Sequence, residues 1–574
     1  MLIRRRVKKL ITQGAKKRGR ECKALSSSLK SGINIVLLYS MNLIISMNNK
    51  ESKAYLVGGG IASLSAAVYL INEGKFKGEN ITIFGEAKKM GGSLDAQNGD
   101  HTKGYSVRGV RIFEEKAFSC TFDLMSQIPS LITPGKTLRE EFIDFNKKNK
   151  SYSESRLFKK GVVVSSHTLG LGFKNRIKLV ALLFRNEKTL DDVAINDYFT
   201  DSFFSSNFWY NFCTIFAFQS WHGLAEFRRY IFRSIHVVQY IDTLEPLEIT
   251  PLNQYESLVL PIIDWLKNHG VKFETETQIT GIDFETLQNK KIANRIYFTQ
   301  EEKSGEIVIN KEDFIFTTLG SMVANSSTGS MTEVPILNYE NKNSAWGLWK
   351  KISQENPEFG NPEVFNSHID KSKWTSFTIT FKDSTFFDLM EKHINKKVTS
   401  HGIMTLIESN WFLTIALFYR PYFLNQPDHI TLSWGYGLYP DKEGNFIKKK
   451  MLECTGEEIL TELIYGLDLE KHLEPILASA VCIPCMTPYV TSQFLPRKIG
   501  DRPEVVPKNS ANFAFLGQYC EIPNDVVFTV EYSIRSAQTA VYNLLKLDKK
   551  PSPIYKGTHH IKVLYNAFKT IISE

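Results

Sequence analysis

The chain has 574 residues, of which 43% are hydrophobic and 23% are charged; this excludes disordered and fibrous classes and, at this length, indicates two to four domains. The formal net charge is +9, but residues 1–46 carry eleven Lys and Arg side chains against one acid, Glu21. That segment contributes +10 and the rest of the chain sums to −1, so we expect no nucleic-acid partner.

Residues 33–47 form an apolar run behind the basic segment, shorter than the roughly 20 residues that span a bilayer. Three interpretations remain open: a targeting segment, an anchor on the membrane surface, or an upstream extension, with the working protein beginning at Met41 or Met47. We favour the extension. Residues 1–50 therefore do not enter the fold prediction.

The folded part is predicted to open with a dinucleotide-binding βαβ unit. Residues 53–57 form an apolar strand that enters the loop Gly58-Gly59-Gly60-Ile61-Ala62-Ser63, and a helical pattern follows. In such a loop Gly58 permits the tight turn, Gly60 lets the backbone approach a pyrophosphate, and the small Ser63 lets helix and strand pack closely. We count Ala62 among the cofactor contacts. A second strand at 80–84 leads to Glu86, whose carboxylate is placed to bind ribose hydroxyls.

Further strand-and-glycine segments follow in the order that FAD-binding proteins use, and they predict FAD as the cofactor. The helix predicted over 528–545 is expected to point its N-terminus at the flavin. The predicted contacts are Gly92 and Ser93 after the acid, Ile279 in a strand pair at 271–284, Thr318 and Ser321 in the segment 314–321, Gly517 after the strand at 513–516, and Phe528 and Thr529 before the last helix.

These elements predict an α/β protein with a three-layer, parallel-sheet Rossmann-type FAD domain that is split by inserted segments. The FAD domain is expected at 51–125, 250–335 and 500–547. An aromatic-rich helical insertion at 126–249 and a mixed α+β domain at 336–499 are expected to form the substrate site. A helical tail follows at 548–574.

Seven cysteines are scattered along the chain. Their odd number and irregular spacing predict reduced thiols in an intracellular compartment, and we expect a cytoplasmic protein. Cys482 and Cys485 form a CxxC motif, as in redox pairs or half of a zinc site. No second CxxC or histidine pair lies at metal spacing, so we favour two packed thiols and expect no metal site.

Several long blocks resemble the oleate hydratase family, also called myosin-cross-reactive antigens. The blocks include GYSVRGVRIFEEKAFSCTFDLMSQIPS (104–130), WHGLAEFRRYI (221–231), LSWGYGLYPDKEGNFIKKKM (432–451) and FLGQYCEIPNDVVFTVEYSIRSAQTAVY (515–542). The resemblance covers about residues 53–545. It implies FAD as the cofactor, contacts from Gly109 and Arg111, and addition of water across the cis double bond of an unsaturated free fatty acid such as oleate, without net redox change. Family members are often dimers, so the resemblance also suggests a homodimer.

The resemblance places the family's catalytic tyrosine on Tyr230 and its partner glutamine on Gln254. The family commonly reads RGGRE where this chain has Arg-Gly-Val-Arg-Ile, so Ile112 stands at the position of the water-activating glutamate. Two explanations remain open. Glu114 or Glu115 supplies the carboxylate from the next turn, and we name Glu114 as the candidate; or backbone and flavin groups hold the water.

A second departure concerns the fatty-acid carboxylate. The family's Thr, Asn and His at that site correspond to Ala416, Phe418 and Tyr422 when counted from Trp411. Arg420 and Tyr422 are the candidate substitutes, because a guanidinium and a hydroxyl both bind carboxylates.

Two other functions remain as alternatives: a redox flavoenzyme of the amine oxidase or desaturase type, and a lipid-binding flavoprotein without catalysis. For the tail at 555–574 we consider a membrane-surface helix, a packed terminal helix and a dimer contact.

Overall fold

A computed structural model describes residues 51–572 apart from 98, 101, 150–154, 165–167, 242, 246, 340–343, 395–401 and 558–560. The interpretations of residues 1–50 lie outside this part. A five-stranded parallel sheet forms the first layer, which confirms the predicted α/β class. Its strands, in spatial order, are Phe513–Leu516, Phe314–Thr318, Ala54–Val57, Ile81–Phe84 and Lys272–Glu274.

The strand Ala54–Val57 is buried along its whole length, as expected for a central parallel strand whose two faces are both covered. Helix Ile61–Asn72 follows it directly. Helix Val530–Leu544 packs beside that helix, where the rings of Tyr69 and Tyr542 lie 6.0 Å apart. The beginning and end of the folded chain therefore meet in one layer.

An antiparallel meander packs on the end strand of the parallel sheet, where Phe284 contacts Phe513 at 4.8 Å between ring centroids. Its strands are Thr277–Leu287, Lys290–Gln300 and Lys303–Val308.

A second sheet, the mixed sheet, has eight strands and is antiparallel except where Ile403–Leu406 pairs with Ser155–Lys159. Alternate side chains of a strand point to opposite faces. Met404 and Leu413 therefore face a second apolar core, whereas Ile403 and Thr414 face a cavity. The strands, in spatial order, are Ser327–Thr328, Ala480–Thr487, Trp374–Phe381, Thr431–Gly437, Leu413–Leu417, Ile403–Leu406, Ser155–Lys159 and Val162–Val164.

Two segments lie differently from the predicted domain boundaries. Strands Ser155–Lys159 and Val162–Val164 come from the insertion that was predicted to be helical, yet they extend the mixed sheet. Helix Ser344–Glu355, assigned above to the mixed domain, packs towards the parallel sheet, where the rings of Trp346 and Tyr519 lie 4.8 Å apart. Long-range strand pairing decides where the two strands lie, and helix docking decides where the helix lies. Local sequence patterns predict neither of these long-range contacts.

Helices Phe173–Phe184, Asn207–Phe216 and Leu224–Arg233 are the longest of those that follow these two strands in the first insertion. Helices Thr385–Ile394 and Gly456–Gly466 supply side chains to the second core. The remaining helices are Ser119–Met125, Leu138–Lys148, Ile195–Tyr198, Asp201–Phe204, Leu260–Asn268 (with a π-helical turn at Tyr255–Val259), Glu363–Asn366, Ile369–Ser372, Leu473–Ser479 and Ile561–Ile572. A two-stranded ribbon joins Ala96–Gln97 to Ser106–Val107.

The tail helix Ile561–Ile572 buries Ala567 and Ile571, the arrangement expected of a packed terminal helix. Within the described ranges, no helix is both long enough and apolar enough to cross a bilayer. The thiols of Cys482 and Cys485 are buried and free.

A buried ionic network fixes helix Leu224–Arg233 to the segment that returns to the parallel sheet. Glu226 accepts hydrogen bonds from Arg497 at 2.8 Å and from Arg502 at 3.0 Å. Arg229, one turn further on, pairs with Glu187 at 2.6 Å and with Glu521 at 2.7 Å. Burial alone would raise the pKa of the Glu226 carboxyl, but the charges of Arg502, Arg497 and Arg229 hold the pKa at about 2.

We expect Glu226→Gln to lower the free energy of unfolding at pH 7 by about 3–5 kcal/mol, because it leaves buried guanidinium groups without their counter-charge. The pKa of Glu226 is depressed in the folded state, so this stability is present above the unfolded pKa of roughly 4.3 and is lost as the pH falls towards 2. Urea unfolding at several pH values measures the difference. Glu333→Gln, at an exposed site, is the control; equal stability of wild type and Glu226→Gln at pH 7 would contradict the network's role.

Candidate functional site

A cavity of about 370 Å³ lies at the carboxyl ends of the parallel strands, where α/β folds bind nucleotides. It is lined by most of the residues predicted to contact the cofactor. These are Gly58, Gly60, Ala62, Glu86, Gly92, Ser93, Ile279, Thr318, Ser321 and Gly517.

The glycines of the first loop have two different reasons to be glycine. Gly58 has a φ of 109°, and a Cβ there would lie 2.9 Å from the side chain of Thr318. Gly60, in contrast, has an ordinary φ of −90°, and a Cβ there would have no atom within 4 Å. Gly58 is therefore required by the protein itself, whereas Gly60 leaves space at the start of helix Ile61–Asn72.

The two glycine turns meet each other at this helix N-terminus. The Gly91 amide donates to the Gly59 carbonyl at 2.8 Å, and a Cβ on Gly92 would lie 3.2 Å from the Gly60 Cα. The first turn of the helix carries no acidic residue, and no side chain caps it. Its amide groups and its dipole thus suit a phosphate.

The later segments close the same site. The Ser63 hydroxyl lies 3.2 Å from the Thr318 hydroxyl, which ties the loop to the neighbouring strand. The Gly517 amide donates to the Ser536 hydroxyl at 2.9 Å. Thr529 caps helix Val530–Leu544 by accepting the Tyr532 amide at 3.1 Å.

A second, apolar cavity of about 180 Å³ lies between the first insertion, the mixed sheet and the start of helix Val530–Leu544. Helix Asn207–Phe216 contributes phenylalanine rings to one wall, and the cavity-facing strand residues contribute the other. The predicted residues on its wall are Arg111, Glu114, Tyr230, Phe528 and Thr529, and Ile112 lies beside them. Phe528 and Thr529 were predicted at the flavin, so their position places the apolar cavity next to the predicted flavin position.

Tyr230 is buried on helix Leu224–Arg233, and its hydroxyl donates to the Val527 carbonyl at 2.5 Å. The rings of Phe216, Phe218 and Phe494 surround it at 4.9, 5.1 and 5.7 Å. Burial raises the pKa of Tyr230 well above its ordinary value, and the charges of Glu226 and Asp525 raise it further. The phenol is therefore protonated throughout the neutral range.

Glu114 is paired with a histidine that the sequence analysis did not single out. His236 Nε2 lies 2.6 and 2.7 Å from the two carboxylate oxygens of Glu114, and both residues line the apolar cavity. His236 Nδ1 is buried without a hydrogen-bond partner among the described residues. Glu115, the other candidate, turns away and pairs with Arg139 at 2.6 Å. Of the two carboxylates, only Glu114 is on the cavity wall.

Arg111 joins the two cavities through a hydrogen bond from its Nη2 to the Ser93 carbonyl at 3.1 Å. Burial lowers the pKa of Arg111 to about 10. No carboxylate within the described ranges comes close enough to form an ion pair with it. Gly109 keeps the room that this side chain fills, since a Cβ there would lie 2.5 Å from Arg111 Nη1.

Tyr422 lies near both Gln254 and Arg111, and neither Tyr422 nor Gln254 lines the apolar cavity. Gln254 Nε2 donates to the Thr250 hydroxyl at 3.0 Å. Burial raises the pKa of Tyr422, while a hydrogen bond with Gln254 and the charge of Arg111 oppose that effect. Tyr422 thus connects Gln254 to the Arg111 guanidinium.

The structure does not bring Arg420 and Tyr422 together as a carboxylate site. Arg420 is exposed and donates to the Asp428 carbonyl at 2.7 Å. Tyr422 is buried and stacks on Phe418 at 3.8 Å between ring centroids. Neither lines the apolar cavity, because the chain turns between them and points the two side chains into different environments.

Comparison with known proteins decides the family. The model of the MCRA family matches residues 51–542. The chain belongs to the MCRA family. It is 37% identical over 532 residues to the oleate hydratase of Streptococcus pyogenes serotype M49 (strain NZ131), which covers 90% of this chain and 89% of that protein.

A second relative of this MCRA chain is the linoleate hydratase of Lactiplantibacillus plantarum, with 31% identity over 558 residues, 88% of this chain and 98% of that protein. Among solved structures, cyclohexylamine oxidase from Brevibacterium oxydans IH-35A has a TM-score of 0.51 at 11% identity. That match covers 86% of this chain and 99% of the oxidase and shows a shared fold alone.

Among the polar groups on the cavity wall of the MCRA chain that were missed from sequence are His236 and the indole of Trp434. Trp434 Nε1 is buried and has no hydrogen-bond partner among the described residues. His236 follows Tyr230 by six residues, and only the proximity of Glu114 gives it significance. An alternation of large aromatic residues at 434 and 436 was the available signal for Trp434.

We expect Gly58→Ala and Gly60→Ala to separate the two roles of the loop. Gly58→Ala should lower the free energy of unfolding by about 1–3 kcal/mol, because alanine is strained at this φ and its methyl group would meet Thr318. Gly60→Ala should leave stability within about 0.5 kcal/mol. Urea unfolding of the protein without added nucleotide measures both; equal losses in the two variants would contradict this division.

Proposed function

We propose that the protein is an FAD-binding fatty acid hydratase, a hydro-lyase that adds water across a cis double bond of an unsaturated free fatty acid. The observation that carries the proposal is that two proton groups, Tyr230 and Glu114, line the same apolar cavity. The family and the two hydratase relatives support the same reaction.

The residues at the first cavity fit FAD. The open space at Gly60 and the helix N-terminus beside it suit the pyrophosphate, and Glu86 suits the adenosine ribose. Arg111, a half-buried cation on the border of the two cavities, suits the electron-rich edge of the flavin. Hydration involves no net redox change, so bound FAD would not be consumed as an electron carrier. It would instead supply a flat, polar wall to the substrate site.

The apolar cavity suits the hydrocarbon part of a fatty acid. Its wall is made mainly of apolar and aromatic side chains, with the polar groups confined to a few positions. Such a wall excludes water from most of the chain and aligns the double bond with the proton groups. Ala416, Phe418 and Tyr422 stand where the family has Thr, Asn and His, so we expect this chain to hold the fatty-acid carboxylate through other groups.

Tyr230 acts as the acid. The Tyr230 hydroxyl gives up its hydrogen bond to the Val527 carbonyl. Its proton then passes to one alkene carbon and forms the new C–H bond. The oxygen of a water molecule bonds to the other alkene carbon, and one proton of that water is released. Glu114 accepts this proton, while the His236 imidazole holds the carboxylate in place. Proton exchange with solvent restores both groups, so atoms and charges balance.

The direct test is anaerobic incubation of the purified protein, FAD and a reductant with oleate and with linoleate in isotopically labelled water. A product heavier than the substrate by one water, with the label in its hydroxyl group, is expected. Turnover that requires a stoichiometric electron acceptor would show a redox flavoenzyme. Fatty acid binding without product would show a lipid-binding flavoprotein.

Tyr230→Phe is expected to lower kcat by about 100- to 10,000-fold, because it removes the proton donor without changing the shape of the cavity. Since the pKa of Tyr230 is raised, the wild-type rate should show no alkaline loss from this group up to about pH 10. Tyr436→Phe, which removes another buried hydroxyl from the same wall, should retain most activity. A Tyr230→Phe enzyme with the wild-type rate would exclude this acid.

Glu114→Gln is expected to lower kcat by about 100-fold or more, since the amide cannot accept the proton from water. Glu115→Gln is the matched control, because Glu115 lies in the same turn and pairs with Arg139 instead. Steady-state rates with oleate compare the two. If both variants keep the wild-type rate, backbone or flavin groups hold the water and Glu114 is not the base.

A further inference from the structure

Helix Phe173–Phe184 carries an apolar face that no described part of the chain covers. Phe173, Ile177 and Phe184 are 77%, 53% and 78% exposed, and Ala181 lies exposed between them. These positions recur at intervals of three or four residues and therefore lie on one side of the helix. Large side chains exposed in a contiguous row mark an interaction surface, whereas scattered single ones do not.

The opposite side of the helix has ordinary packing. Asn175, Leu179, Leu182 and Leu183 are buried. Arg228 of helix Leu224–Arg233 donates to the carbonyls of Leu182 and Leu183 at 3.1 and 3.2 Å. The helix thus has a buried face of its own, and its exposed phenylalanines add nothing to the core.

The charge of the helix selects its partner. Lys174, Arg176 and Lys178 lie within it and Arg185 follows it, while the helix contains no acidic residue. Glu187, the next acid along the chain, is turned inward and bound by Arg229 at 2.6 Å. Exposed phenylalanines flanked by cations are suited to the interface of an anionic bilayer.

We infer that helix Phe173–Phe184 docks the protein on an anionic lipid surface, with Phe173, Ile177 and Phe184 inserted below the headgroups and Lys174 and Arg185 at their level. The helix packs on the same element that carries Tyr230, so docking brings the apolar cavity close to the lipid phase in which fatty acids partition. The inference rests on this exposed face and is independent of the catalytic proposal.

Co-sedimentation of the full-length protein with vesicles tests the inference. Binding is expected to vesicles that contain phosphatidylglycerol and to be weaker with pure phosphatidylcholine. Phe173→Ser combined with Phe184→Ser should reduce the partition coefficient by about tenfold or more. Lys174→Glu combined with Arg185→Glu should abolish the preference for the anionic lipid. All four side chains are exposed, so thermal unfolding should be unchanged.

The matched control is Val308→Ser combined with Ile336→Ser, which removes apolar side chains of 62% and 73% exposure from other elements. It should bind vesicles like the wild type. Three results would overturn the inference: a wild-type protein that does not bind, equal binding by the phenylalanine variant, or loss of a dimer in that variant by light scattering without loss of vesicle binding. The last result would identify the face as a contact between two copies.

Discussion

The buried carboxylate of Glu226 is the constraint on which the arrangement of the two cavities depends. It lies on the helix that carries Tyr230, and the guanidinium groups that neutralise it come from 271 and 276 residues further along the chain. A buried charge without its partners is very costly, so the helix and the returning segment can assemble in essentially one way. That segment leads into the last parallel strand and then to Phe528 and Thr529. The charge pairing therefore sets where Tyr230 stands relative to the cofactor site.

The two faces of the mixed sheet have different roles: one contributes to stability and the other to ligand binding. Its two faces receive alternate side chains, so one face fills a closed core and the other lines the cavity. The core holds these strands rigid. The same strands place Trp434 and Tyr436 on the cavity wall. A site built on such strands keeps its shape when a long flexible ligand enters, because the wall cannot relax without disturbing the core.

The parts that sequence predicts well are those in which neighbouring residues act together. The loop from Gly58 to Ser63 follows from local backbone requirements, and ten of the fifteen predicted cofactor positions line one cavity. The contact of Glu114 with His236 joins positions 122 residues apart, and no local sequence pattern predicts it. The separation of Arg420 from Tyr422 likewise depends on how one turn folds. Strands Ser155–Lys159 and Val162–Val164 gain their partners only from a distant segment.

In the proposed mechanism, the position of Glu114 also accounts for Ile112. Arg111, Ile112 and Glu114 all reach the apolar cavity from one short stretch of chain, and the same stretch contacts the cofactor loop through Ser93. A carboxylate three residues after Arg111 is thus still tied to the cofactor loop, and its contact with His236 fixes its direction. In the proposed mechanism an apolar residue can occupy the position beside Arg111, because Glu114 would supply the proton-accepting group from the next turn of the same segment.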